Sequence, residues 1–405
     1  MDKDGSIVLD PALALKPKTV RVRVTEDGKT TGTSRINIPD RLSELQFEQS
    51  IQLARETIFE EELFHEMSME SRQLIAYNVE LRNSVLHVML PGQDNQPLHR
   101  KLLIDYVPRD DSASFSNAGV HDWLAQNIAD GLRSLLAHEY RMRLYRRSRI
   151  PPPMSQHRLQ EPTPPLLRTV LSIISHLDAV ESLQVHLGAL AKTLKSAGLD
   201  VNVEASCETS WEKMCDLVEG APSDGVPAAA QLLNLFIRPL HGTASISLPS
   251  ANGSPPETLS IVTRTYIGPP HFGTEHEVSL PPALYTLFNE QDQQSPLKFS
   301  STQEVRSYLG WIISIDVSQI LLLREFPGRA SIRSSDPQIC ILCKGSKKGL
   351  VKEGELEIEL EEAELRATAT ISVGQLATGV ERETFVWNGT FGQPPLKETV
   401  KRWFG

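Results

Sequence analysis

The chain has 405 residues, enough for two or three domains and a sizeable core. Its hydrophobic content of 40% and charged content of 23% are ordinary for a globular protein. A net charge of −10 argues against a general nucleic-acid binder, four cysteines exclude a disulfide framework, and no apolar run reaches the roughly 18 to 20 residues that span a bilayer.

No apolar segment follows the first methionine, so the expected compartment is a reducing one, cytosol or nucleus. Residues 1–40 are expected to be peripheral and extended or mobile. One short strand is expected there, where Val20, Val22 and Val24 alternate with arginines. From Ser43 the texture changes. Phe47, Ile51, Ala54 and Ile58 fall at helical spacing, and neither Gly nor Pro intervenes before Pro91, which predicts one long helix or two in series. Residues 85–90 and 101–107 flank the turn-rich PGQDNQP and predict a hairpin.

Gly119 to Arg149 reads as the next helix. Leu124, Ile128, Leu132, Leu136, Tyr140 and Leu144 form its apolar stripe, and Arg141, Arg143, Arg146, Arg147 and Arg149 crowd its last turns. IPPPMSQHRLQEPTPP then supplies a proline-rich linker, residues 151–165, between a helical region (41–150) and a C-terminal domain (166–405).

Past the linker, Leu167, Val170, Ile174 and Leu177 start a helix that Leu183, Leu187, Leu190 and Leu194 continue. Lys192 and Lys195 suit its C-terminal dipole and Gly198 its cap. Strand-like runs follow at 199–205, 243–248 and 258–267. Ser301-Thr-Gln-Glu304 is a capping box ahead of a helix with Val305, Leu309, Ile312 and Ile320 on its apolar side. In GELEIELEE the apolar residues alternate with glutamates. A helix would scatter that period of two, whereas a strand buries one face and wets the other. ATATISV and TFVWNG read as further strands. The expected class is α+β: long amphipathic helices followed by a mixed domain with a small, mainly antiparallel sheet.

Catalytic patterns are missing from the sequence. It has no G-x-G-x-x-G after a strand, no P-loop, no H-E-x-x-H and no G-x-S-x-G, so no catalytic, cofactor or metal residue is assigned. Cys340-x-x-Cys343 has no second pair nearby and sits in a run apolar enough to be a buried strand. Glu62-x-x-His65 is half of a di-iron motif, the basis of an alternative reading as a metal-dependent oxidoreductase. No second Glu-x-x-His exists, so the motif reads as a solvated edge beside an apolar stripe. The arginine run admits nucleic-acid contact, a nuclear import signal, or packing against acidic neighbours or a partner. The last is favoured because the apolar stripe continues to Leu144.

QLARETIFEEELFHEMSMESRQL resembles the most characteristic stretch of the Mediator subunit 17 family, through Ala54, Arg55, Ile58, Phe59, Glu60, Glu62, Leu63, Phe64 and Met67. The order that follows agrees: a strand pair, a helix ending in HEYRMRLYRR, a proline-rich linker, and FSSTQEVRSYLGWIISIDVSQIL, similar to the family's late helix. Only about forty residues precede the signature, so the chain resembles the C-terminal portion of the family.

The resemblance implies a nuclear, non-enzymatic coactivator scaffold of the Mediator head module. Its expected partners are the other head subunits, 11 and 22 among them, with RNA polymerase II and the pre-initiation machinery reached through the complex. No cofactor, no membrane and no direct nucleic acid are expected. The candidate partner interface is Ile58, Phe59, Leu63, Phe64 and Met67 with Arg141, Arg143, Arg146 and Arg147. Whether this chain or a partner covers the 58–67 apolar face is open at the level of sequence.

Overall fold

A computed structural model describes residues 17–35, 47–90, 100–109, 119–148, 165–207, 240–250, 257–267, 272–282, 284, 296–332, 336–343, 353–372 and 380–405. Among these, fifteen strands form three five-stranded antiparallel sheets, accompanied by five helices of nine residues or more, as the α+β expectation required. The chain divides into two compact units: of the described residues, the first holds those up to Ser175 together with Tyr266–Phe272, and the second holds the others from His176 onward. The proline-rich linker expected at 151–165 lies outside the described residues except for Pro165.

The first unit contains β1 (Lys18–Glu26), β2 (Lys29–Thr33), α1 (Phe47–Ser71), β3 (Val79–Arg82), β4 (Val85–Met89), β5 (Arg100–Pro108) and α2 (Asp122–Ser148). Its sheet runs β2-β1-β5-β4-β3. The alternation in β1 sends Val20, Val22 and Val24 to one face, where they meet Leu102 and Ile104 of β5, Leu86 and Val88 of β4, and the inner faces of α1 and α2. On the other face Arg21 and Arg23 both bond Asp105 (2.7 and 2.9 Å).

The expectation of unbroken helix from Ser43 to the hairpin strand at 85–90, as one helix or two in series, is corrected here. α1 stops at Ser71, and residues 79–82 form a strand hairpinned onto β4. The breakers are Asn78, Asn83 and Ser84, at φ of 56°, 49° and 61°. A pair of residues at positive φ makes the primed two-residue turn that matches strand twist, and it needs neither Gly nor Pro. The hairpin of β4 and β5 lies as expected.

The second unit contains α3 (Leu167–Ser196) from His176 onward, then β6 (Val203–Cys207), β7 (Leu240–Ser247), β8 (Thr258–Tyr266), β9 (Gly273–Ser279) and β10 (Leu297–Phe299). α4 (Thr302–Ile315) follows, extended by the π-helical segment Asp316–Leu322 and a last turn Leu323–Glu325. β11 (Ala330–Ser331), β12 (Gln338–Leu342), β13 (Glu353–Glu361), β14 (Glu364–Ser372), β15 (Val380–Trp387) and α5 (Leu396–Phe404) complete it. Its sheets run β10-β9-β8-β7-β6 and β11-β12-β13-β14-β15 around one core. The second half of the domain therefore carries two sheets where one small sheet was expected.

The capping box is present: Ser301 Oγ accepts from Glu304 N, and Glu304 reaches back to Ser301 N. β13 is a strand despite its glutamates, with Leu356, Ile358 and Leu360 buried. α4 crosses β13 so closely that a Cβ on Gly310 would stand 2.3 Å from the Leu360 carbonyl oxygen. α5, which the sequence reading missed, lays Phe404 over Gly354.

One end of the β6–β10 sheet turns polar inside. The ring nitrogen Nδ1 of His176 lies 3.0 Å from Thr265 Oγ1, that hydroxyl lies 2.9 Å from Thr274 Oγ1, and His276 Nδ1 lies 3.0 Å from Thr263 Oγ1. Both imidazoles are almost fully buried. Burial lowers each to about 4, from an ordinary value of 6.5. The sign follows from the unfolded chain binding protons first. Stability from these neutral rings is complete above about pH 6.5 and is lost as pH falls toward 4. Near pH 5 each ring is expected to cost the unit about 2 kcal/mol. Urea midpoints at neutral and acid pH measure this, and His176→Asn is expected to flatten part of the slope. Equal slopes in variant and parent would contradict it.

Candidate functional site

α1 is 25 residues long and two-sided. At 3.6 residues per turn, Thr57, Glu60, Leu63, Met67 and Glu70 share one face, and all are buried. Ile51, Ile58 and His65, spaced by seven, share the other, and all are exposed. None of the described residues from Glu48 to Glu56 enters the core of the unit. Among the described residues, the first turns of the helix thus stand outside the apolar core.

The candidate interface residues separate along these faces. Leu63 and Met67 are fully buried against the sheet and α2. Phe59 and Phe64 are half-buried at the core's margin. The Phe59 ring lies 6.2 Å from Tyr140, and Phe64 stacks on Tyr106 with centroids 6.1 Å apart. Ile58 is 55% exposed and points away from them.

The arginines divide too. Arg143 is held inward by Glu66 (3.1 Å) and Glu139 (3.8 Å), the bland reading of that cluster, whereas Arg141 is exposed. The backbone of α2 continues through Arg146 and Arg147, whose side chains lie outside the described residues. The expectation that the apolar stripe keeps this segment packed is corrected at its end, because Leu144 is 67% exposed.

Two glutamates of α1, Glu60 from the expected wet edge and Glu70 beyond it, are structural nodes. Glu60 accepts from Arg133 Nε (2.6 Å), from the Val20 backbone N–H (2.7 Å) and from Thr19 Oγ1 (3.2 Å). Arg133 Nη2 also donates to the Val20 carbonyl (3.2 Å), so one ion pair ties α1, α2 and β1 together. Glu70 accepts the backbone N–H groups of Leu166 (3.0 Å), Leu167 (2.7 Å) and Arg168 (3.2 Å), filling the orphan donors at the start of α3. Burial pushes its carboxyl up to about 7, against the lowering pull of those bonds. A signal existed in the sequence: residues 60, 63, 67 and 70 recur at 3- and 4-residue steps, which places both glutamates on the face of Leu63 and Met67.

The metal reading of Glu62 and His65 gathers no support. Glu62 bonds the Tyr140 hydroxyl and, behind burial, helps raise its pKa, while His65 is exposed. Among the described residues no group of three or more His, Cys, Asp or Glu side chains is placed to hold a metal. Cys340 is buried in β12, in the manner of a small apolar residue.

Comparison with known proteins follows the same segment. The model of the family described as subunit 17 of the Mediator complex matches residues 1–194. "Mediator of RNA polymerase II transcription subunit 17" of Aspergillus oryzae is 30% identical over 318 residues, covering 78% of this chain and 46% of the relative. Its counterpart in Aspergillus terreus is 30% identical over 315 residues, with the same coverage of 78% and 46%. The chain thus spans about half the length of the curated relatives it matches. A chain in the structure of the Schizosaccharomyces pombe Mediator head module aligns with a TM-score of 0.46 at 15% identity, covering 74% of this chain and 60% of that one.

Proposed function

This chain belongs to the subunit 17 family of the Mediator complex, and from that premise we propose that it is a non-enzymatic scaffold of the head module, a coactivator component acting in the nucleus in transcription by RNA polymerase II. Its partners are other head subunits, subunits 11 and 22 among them, and it meets polymerase through the assembled complex.

The observation that supports this reading is the division of labour in α1. Its inner face closes the chain's own core, while among the described residues its first turns lie outside that core and the stripe of Ile51 and Ile58 is exposed. A scaffold works by burial, and covering one such side chain contributes roughly 1.5–3 kcal/mol. Ile58 therefore carries the partner contact, flanked by Phe59 and Phe64 at the margin and by Arg141 on α2. Leu63 and Met67 act from beneath, by holding the helix in place.

The test is affinity purification of the tagged chain from nuclear extract, with partners identified by mass. The parent is expected to bring down head subunits. Ile51→Glu with Ile58→Glu is expected to melt within a few degrees of the parent, since exposed substitutions usually change stability by less than about 0.5 kcal/mol. Recovery of partners should nevertheless fall at least about tenfold. Unchanged recovery by the double variant would reject this surface. Absence of head subunits from the parent purification would reject the scaffold itself.

A further inference from the structure

The helix that follows the capping box does not stay an α-helix. From Asp316 to Leu322 it widens into π geometry, seven residues long, before closing again at Leu323–Glu325. Such segments are rare, and they persist where surrounding contacts hold the wider register. Here the contacts are polar and buried. Asp316 is fully buried and accepts from the Ser250 backbone N–H (2.9 Å) and from the Ser250 hydroxyl. Gln319 Nε2 donates to the Asp336 carbonyl at 2.6 Å. Strands β12 and β13, packed on the segment, contribute Ile339, Ile341, Leu356 and Ile358 to the same core.

Two neighbouring residues at the end of the helix use this register in opposite directions. Arg324 Nη1 donates to the Ser250 carbonyl at 3.1 Å, back to the turn that Asp316 grips. Glu325 accepts Lys397 Nζ (2.7 Å) and Lys401 Nζ (2.9 Å), both on α5. A change of one residue in helical register moves every later side chain by about 1.5 Å along the axis and about 100° around it. Neither set of contacts could survive that change.

We propose that Asp316–Leu322 is a register switch. The Asp316–Ser250 tether holds the wide register, and its release lets the segment tighten to α-helix, withdraws Glu325 from Lys397 and Lys401, and frees α5. The turn at Ser250 and the C-terminal helix are thereby coupled through one helix. The charged groups acting on Asp316 are Glu257, just ahead of β8, and Arg324, from the helix end. Burial, with Glu257 adding to it, lifts the Asp316 carboxyl to about 6 against the pull of Ser250 and Arg324, so a proton is one means of loosening the tether.

Hydrogen exchange on the full chain tests this. In Asp316→Asn, which preserves shape, amides of residues 316–325 and of α5 are expected to exchange at least tenfold faster, while residues 302–313 keep their protection. Unchanged α5, or a loss spread evenly through 302–313 as well, would overturn the proposal. The parent chain supplies a second arm. After correction for intrinsic rates, and relative to residues 302–313, which report the pH dependence of the unit as a whole, α5 is expected to loosen between about pH 7.5 and about pH 5, and Asp316→Asn is expected to remove that excess. No excess loosening of α5 in the parent, or an excess that persists in the variant, would also overturn it.

Discussion

Glu60→Ala is expected to destabilise the first unit by about 3 kcal/mol, the lower part of the range for breaking a buried ion pair. The Glu60 side chain is 6% exposed and Arg133 25%, so solvent screens the pair only weakly. Removing the carboxylate strands the Arg133 guanidinium beside Thr19 and leaves the Val20 N–H without its acceptor. Arg133 keeps its weaker bond to exposed Asp130, which limits the damage. A double-mutant cycle separates the node from its neighbours. Glu60→Leu with Arg133→Met should recover most of the loss, because a well-packed apolar pair of similar volume is often neutral relative to a buried ion pair. Urea unfolding followed by circular dichroism measures both. If Glu60→Ala cost less than about 0.5 kcal/mol, the carboxylate would be the solvated edge that its neighbours in EEE suggest.

Trp387→Ala is expected to cost the second unit about 3–5 kcal/mol. The indole is fully buried on β15, its ring centroid 4.6 Å from Phe385, and its Nε1 donates to the Pro394 carbonyl at 2.8 Å. Alanine removes the packing and also leaves that carbonyl, just ahead of α5, without its donor. At about 2–4 °C per kcal/mol for a unit of this size, the melting transition should fall by roughly 10 °C. Trp387→Phe should recover much of the apolar part and none of the hydrogen bond. A shift below about 2 °C for the alanine variant would show that the indole does not organise this core.

Much of this architecture was legible in the sequence because it rests on local periodicity. The valines of β1, the leucine ladder of α3, the capping box at Ser301 and the alternation in β13 each specify an element within a single window. The unread parts depend on distant contacts or on rare backbone states. β3 was hidden because Asn78, Asn83 and Ser84 turn the chain into and out of it without Gly or Pro. α5 was hidden because nine residues carry little helical signal of their own, and its Leu396, Val400 and Phe404 acquire meaning only against a core assembled from remote strands. The π geometry at Asp316 had no signature at all, since Ser250 lies 66 residues away.

At the candidate site the sequence singled out α1 and left its two faces undivided. Leu63 and Met67 proved to be core, and Ile58 solvent-facing. The glutamates, alike in composition, divided by position: Glu60 went inward to Arg133 and Glu61 outward to water. Charge alone predicts a wet edge, and helical phase decides which members of the run leave it.

The central claim is that α1 serves two bodies at once: its inner face closes this chain's core, and its first turns await a partner. Hydrogen exchange along residues 47–71, in the isolated chain and in the reconstituted head module, tests it most directly. In the isolated chain, residues 57–71 are expected to be strongly protected and residues 47–56 to exchange rapidly, with protection of 47–56 appearing on assembly. Full protection of 47–56 in the isolated chain, or no change there when the head module forms, would contradict the account.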